Sequence, residues 1–217
     1  LSLTDMGDIV EATGKVGKTK TGEISVLTDS FRILTKSLRP FPDKYVGMKD
    51  RELILRKRYI DTTLNPENRT HFEQFGRMLF EIRRFLAGRG FVEFITPIIQ
   101  AQYGGGTAKP FLTHVNALST DMYLAISHEL YLKRLVTAGF DKVFTIGRYF
   151  RNEGIDRSHH PEFSMVETMT AYENYEYNMQ LIEDMFRHIA VNVFGRTQFT
   201  VKGHEVDFAN PWPRIRM

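Results

Sequence analysis

The sequence predicts an α+β fold, with strands gathered near the N-terminus and helices and strands intermixed after it. Three observations carry this. Residues 8–36 are rich in Val, Ile, Leu, Thr and Phe and are broken by a Gly-bounded turn. Phe72, Phe75, Leu79, Ile82 and Leu86 recur at spacings of 3, 4, 3 and 4, the stripe of an amphipathic helix. Residues 144–167 read as a strand, a polar loop and a second strand.

Composition sets bounds on function. The chain has 217 residues, 42% hydrophobic and 25% charged, which suits a globular protein with a sizeable core. A net charge of +3 permits nucleic-acid binding without arguing for it. The absence of cysteine excludes disulfides, Cys-ligated zinc and thiol catalysis. No apolar run approaches ~18 residues, so no membrane span is expected. Nothing resembles a signal peptide, so a cytoplasmic location is expected. The histidines have no spaced His/carboxylate set, so no metal site is expected in this chain.

In chain order, Asp8–Val16, Ile24–Thr28 and Phe31–Lys36 read as short strands, with Gly17–Gly22 as the turn between the first two. Gly17-Lys18-Thr19 is not a phosphate-binding P-loop, because Ala12 stands where that motif needs Gly. A hairpin of a small β-barrel is the expected structure. Leu38–Asp43, with Pro40 and Pro42, is a stiff linker. The run Arg56-Lys57-Arg58 is a solvated helix face, a contact to nucleic-acid phosphate or packing between the domains.

The stripe predicts a helix over 71–89, stopped by Gly88 or Gly90. Phe91–Ile99 reads as a strand interrupted by Pro97, which suits only an edge, a strand end or a bulge. Gly104-Gly105-Gly106 allows positive φ and close backbone approach to a ligand. Met122–Ile126 reads as a strand. Ser127–Ala138 reads as a helix, with Ser127 as cap, Glu129 in its first turn, and Leu132, Leu135 and Val136 inward. Beyond Tyr175, Leu181, Ile182, Met185, Ile189 and Val193 predict another amphipathic helix, and Phe199–Phe208 is strand-like.

Strand side chains alternate with period two. Arg151 and Glu153 therefore share a face at the end of the first strand of 144–167, and Phe163, Met165, Glu167 and Met169 share one on the second. A cleft with a guanidinium, carboxylates, an aromatic plate and imidazoles suits a nucleoside triphosphate. The guanidinium grips phosphate bidentately and the ring stacks on a base.

Phe150-Arg151-Asn152-Glu153, then His159, then Phe163, resembles motif 2 of class II aminoacyl-tRNA synthetases. The longer run RNEGIDRSHHPEF followed by Glu167 is similar to the version in lysyl-tRNA synthetases, as are RPFPDKY, RKRYID and HELYLKRL, the last usually PELYLKRL. The helix–Gly–strand–Pro order of residues 71–97 resembles motif 1, whose surface forms the family's homodimer interface. The resemblance implies an antiparallel sheet flanked by helices, incomplete here, preceded by the end of an OB-fold β-barrel. It divides the chain into residues 1–38 as the last part of an anticodon-binding OB-fold, 39–65 as linker, and 66–217 as the first part of a catalytic domain.

That resemblance implies ATP-dependent activation of lysine and its transfer to tRNA. Arg151 would bridge the α-phosphate and the lysine carboxylate. Glu153 would accept from the adenine amino group, Phe163 would stack on the ring, and His159 would meet the γ-phosphate. Gly105 would line the amino-acid site, in a segment where Lys109 stands in place of the more usual Arg. Glu129 and Glu167 would hold the two amino groups of lysine. Met169 stands where the family usually has a Tyr that helps hold the ε-ammonium. Motif 3 and the family's Mg2+-binding acidic residues are absent, so the chain is expected to be an inactive fragment of a longer enzyme. The alternatives are a non-catalytic tRNA-binding or dimerising module, or a paralogue acting on another acceptor.

Overall fold

The structure is a computed structural model describing residues 3–39, 41–42 and 47–216. It divides into two compact units, Leu1–Phe72 and Glu73–Met217. In the expected linker, Pro40 and Asp43 lie outside the described residues, as do Lys44 and Tyr45 of RPFPDKY.

In the first unit, β1 (Ile9–Lys18) and β2 (Ile24–Thr35) form an antiparallel hairpin. Two of the three predicted strands are one. Thr13 pairs with Ser30 and Gly14 with Thr28, so Asp29 is accommodated by a register shift instead of ending the strand. A Cβ at Gly14 would lie 1.9 Å from the Leu27 carbonyl oxygen, so only glycine fits there. The turn is shorter than predicted, because Gly17 and Lys18 still belong to β1. Gly22 (φ 86°) donates its N–H to the Thr19 carbonyl at 2.9 Å. At the open end, Asp8 accepts from Asp5 N–H at 2.9 Å, Lys36 Nζ at 2.8 Å and Ser37 N–H at 2.6 Å. Those bonds, the Asp5 N–H first, lower its carboxyl pKa to about 2.

Helices α1 (Arg51–Arg56) and α2 (Arg58–Leu64) follow. Asp50 caps α1 by accepting from Glu52 N–H at 2.8 Å and Leu53 N–H at 3.2 Å. Within the basic run, Arg56 meets Glu52 at 2.6 Å, and Arg58 lies 3.5 Å from buried Asp61. The Arg58 guanidinium also sits 5.7 Å from the centre of the Phe72 ring. Two of the three cations are thus engaged locally.

Helix α3 (Arg69–Gly88) carries the predicted stripe, but only its C-terminal half is buried. Ile82 and Leu86 are in the core, whereas Phe72 and Phe75 are exposed. The second unit also contains α4 (Glu129–Thr137) and α5 (Tyr175–Phe194). Its longest strands, β7 (Lys142–Phe150) and β8 (Glu162–Thr170), are antiparallel, with Tyr149 opposite Phe163 and Thr145 opposite Glu167. The predicted strand Phe91–Ile99 is split. Its start, β3 (Val92–Glu93), pairs parallel to β7, so this sheet is mixed and not purely antiparallel. Its end, β4 (Ile99–Gln100), belongs to a separate antiparallel sheet with β6 (Thr120–Leu124) and β5 (Leu112–Val115). Pro97, which has no N–H, lies in the break.

The core joins Ile82, Phe85 and Leu86 of α3 and Phe144 of β7 to Leu181, Ile189 and Val193 of α5. Ile182, predicted inward, is exposed, because it lies one position off the row Leu181–Met185–Ile189–Val193. Asn174 caps α5, accepting from Glu176 N–H at 2.9 Å and Tyr177 N–H at 3.1 Å, and Gly195 (φ 67°) ends it. A hairpin of β9 (Gln198–Val201) and β10 (His204–Asp207) follows. Among the described residues no helix is long and apolar enough to cross a membrane.

Candidate active site

One face of the β7–β8 ladder packs into the core through Phe144, Ile146 and Val166. Period-two alternation directs Phe163, Met165, Glu167 and Met169 to the other face. Two cavities open there. The larger, about 660 Å³, is lined by Arg151, Glu153, Asp156, His159 and Phe163 among others. The smaller, about 310 Å³, is lined by Gly105, Ser127, Glu129, Arg151, Glu167 and Met169 among others. Arg151 is common to both. All eight residues predicted for the site thus line one cavity or the other.

Arg151 lies just past β7, where its N–H donates to the Pro161 carbonyl at 2.9 Å and extends the ladder by one bond. Its guanidinium carbon is 5.3 Å from the centre of the Phe163 ring, and Nε is buried without a partner among the described residues. Tyr149 stacks on Phe163, the ring centres 6.1 Å apart. Burial, followed by the charge of Glu167, pushes the Tyr149 hydroxyl pKa up, so it stays neutral.

The loop after Arg151 is tied at two places. Asn152 N–H donates to the Lys109 carbonyl at 2.8 Å, and Lys109 N–H donates to Glu153 Oε1 at 3.3 Å. A further tie, at Asp156, was not singled out from the sequence. Asp156 accepts from Ser158 N–H at 2.7 Å and His159 N–H at 2.8 Å, while its other oxygen is 2.7 Å from His159 Nδ1. These bonds, the Ser158 N–H first, hold its carboxyl well below the usual range. The Asp-x-Ser spacing of an Asx turn is the signal that finds it.

In the smaller cavity, α4 begins at Glu129, not at Ser127 as predicted. Ser127 Oγ still accepts the Glu129 N–H at 3.0 Å, and it also donates to Glu167 Oε1 at 2.8 Å. Glu167 Oε2 accepts from His128 N–H at 3.1 Å. Burial raises the Glu167 carboxyl pKa; Ser127 and His128 oppose this, nearby Glu129 adds to it, and Arg151 opposes it. Glu129 meets Lys133 Nζ at 2.6 Å, one turn along α4. Gly105 (φ 82°) presses against this corner, where a Cβ would lie 2.5 Å from Ser127 Oγ and 2.8 Å from Glu129 Cβ.

His128 was not singled out from sequence. It is buried, its Nδ1 bonded to Thr96 Oγ1 and its ring edge-on to Tyr149 at 4.6 Å. Burial lowers its pKa, leaving a neutral imidazole. Among the described residues no group of three or more His, Cys, Asp or Glu is placed to hold a metal ion, and no step is assigned to Mg2+.

The geometry provides an acidic recess fit for ammonium groups, a larger recess with an aromatic floor, and one guanidinium reaching both. The chain is 49% identical over 213 residues to the "Lysine--tRNA ligase" of Pelotomaculum thermopropionicum, a match covering 98% of this chain and 42% of that protein. It is 49% identical to the enzyme so named from Methanoculleus marisnigri and 48% to that from Shigella dysenteriae, with the same shares covered. The chain therefore spans about two fifths (42%) of the length of the curated relatives it matches. The family model for class II tRNA synthetases (D, K and N) matches residues 50–217, and the chain belongs to that family.

Proposed function

We propose that this chain is the part of a lysine–tRNA ligase that grips ATP and lysine for adenylate formation. The observation that carries the reading is the position of Arg151, which lines both the cavity bearing Glu129 and Glu167 and the one floored by Phe163. A lysine carboxylate oxygen attacks the α-phosphorus of ATP. A new O–P bond forms as the bond to pyrophosphate breaks, giving lysyl-adenylate; a hydroxyl of the terminal tRNA ribose then attacks the lysyl carbonyl carbon, forming an ester as the bond to the phosphate breaks and AMP leaves. Arg151, placed between the two reactants, binds both negative groups and offsets the charge that builds in the transition state. Glu129 and Glu167 take the lysine ammonium groups, Met169 lies along the chain of the substrate, and Gly105 gives it room. Phe163 stacks on adenine, Glu153 accepts from its amino group, and His159 meets the outer phosphate. Positioning supplies most of the rate, since no strong base is needed.

Exposed apolar side chains in the segment that resembles motif 1, Phe75 and Phe80 of α3 and Ile95 beyond β3, support a homodimer formed through it. The hairpin β1–β2, with Ile9, Val16 and Ile24 exposed, supports its membership of a larger OB-type barrel. The deciding experiment is ATP–pyrophosphate exchange by the full-length protein with each amino acid in turn, followed by transfer to tRNA. Exchange dependent on lysine and charging of tRNA are expected. Preference for another amino acid, or lysine transfer to a different acceptor only, overturns the reading.

A further inference from the structure

We propose that Ser127 is the positioning residue that orients the Glu167 carboxylate towards an ammonium ligand, so that substrate selection depends on a single hydroxyl proton. The inference rests on the reading of Glu167 as an acceptor for a lysine ammonium group. A serine hydroxyl has one proton and two lone pairs. Here one lone pair is taken by the Glu129 N–H at 3.0 Å, and Glu167 Oε1 lies 2.8 Å away as an acceptor. The proton therefore points to Glu167. The other carboxylate oxygen receives the His128 N–H at 3.1 Å. With one donor on each oxygen, the plane of the carboxylate is set, and each oxygen keeps acceptor capacity for a ligand in the 310 Å³ cavity that Glu167 lines.

Ser127 cannot easily turn away. It is 5% exposed, and Gly105 approaches so closely that a Cβ there would stand 2.5 Å from Oγ and 2.9 Å from Ser127 Cβ. The same hydroxyl thus joins the N-terminal turn of α4, which carries Glu129, to the strand that carries Glu167. The backbone of Glu129 and the carboxylate of Glu167 thus meet at one oxygen, while the Glu129 carboxylate is held by Lys133 at 2.6 Å. Both carboxylates are then presented to a ligand with positive charge. Without the hydroxyl proton, Glu167 keeps only the His128 tether and is free to rotate about its last bond.

The test compares Ser127→Ala and Ser127→Cys with the unmodified full-length protein in ATP–pyrophosphate exchange, recording KM for lysine and for ATP separately. Loss of a hydrogen bond to a charged group predicts a rise in lysine KM of about tenfold or more for the alanine variant. Cysteine, a weak donor, is expected to fall between serine and alanine. KM for ATP should stay within about twofold, since Ser127 does not line the larger cavity. Equal lysine KM values across the three proteins, or a parallel rise in ATP KM, overturn the role of Ser127 while leaving the functional reading intact. An unmodified protein with no lysine-dependent exchange overturns both.

Discussion

The guanidinium carbon of Arg151 lies 5.3 Å from the centre of the Phe163 ring, while Nε of the same side chain is buried without a partner among the described residues. A buried cationic N–H without an acceptor is costly, and a carboxylate or phosphate oxygen of a substrate would satisfy it. The ring beneath limits where the planar fork can go. Arg151 is therefore held ready for an anion on the side away from Phe163.

Arg151→Ala in the full-length protein is expected to lose ~3–4 kcal/mol of transition-state binding, the scale of one preorganised donor. The quantity to follow is kcat/KM for adenylate formation. Arg151→Lys should not restore it, because an ammonium does not reproduce a planar two-pronged donor. A loss below about tenfold would place Arg151 away from the α-phosphate.

Met169 lines the same cavity as Glu167 and offers only a thioether, a weak acceptor. Met169→Tyr adds a hydroxyl there. Lysine KM should fall, by ~10- to 150-fold for one full charge-assisted bond, with ATP KM unchanged. No gain would mean the tyrosine hydroxyl does not reach the ammonium.

Gly105→Ala should damage lysine binding selectively. Its φ of 82° strains any Cβ, and the added methyl would meet Ser127 Oγ at 2.5 Å. We expect lysine KM to rise at least about tenfold, as for loss of one bond to a charged group, while ATP KM moves little. A variant with unaltered lysine KM would show that this corner yields without cost.

Glu167→Gln should exchange function for stability. The Glu167 carboxyl is raised by burial, so the folded state holds its proton to higher pH than the unfolded chain does. Stability from this group is full below the unfolded carboxyl pKa and falls as pH rises through the folded one. The glutamine variant lacks that loss. Its melting temperature relative to the unmodified protein should be higher at pH 7 than at pH 4, and lysine-dependent exchange should drop. A Tm difference that does not change with pH would mean burial does not govern this carboxyl.

Leu86 is fully buried among Phe85, Phe144 and Leu181, and Leu86→Ala should cost ~2–5 kcal/mol. Phe75→Ala on the exposed part of the same stripe should cost far less in the monomer. Urea melts of the two variants test this difference.

Much of the site was legible because it is local. The order Arg151, Glu153, His159, Phe163, Glu167 and Met169 lies within one strand–loop–strand, and period-two alternation alone puts the last three on one face. The helical stripe of α3 is likewise written in short-range spacing, whereas the tightness at Gly105 comes from Ser127 and Glu129, more than twenty residues on. The tertiary structure decided what depends on partners distant in sequence. Ser127 reads as a helix cap until the β7–β8 ladder brings Glu167, 40 residues later, within 2.8 Å of its hydroxyl. The Phe91–Ile99 segment has the composition of one strand, but two different sheets compete for its ends and Pro97 cannot bond across the middle. Periodicity states which side chains share a helix face. Whether Phe75 or Leu86 is buried on that face depends on where α5 and β7 pack, and α5 and β7 cover only the C-terminal half of the stripe.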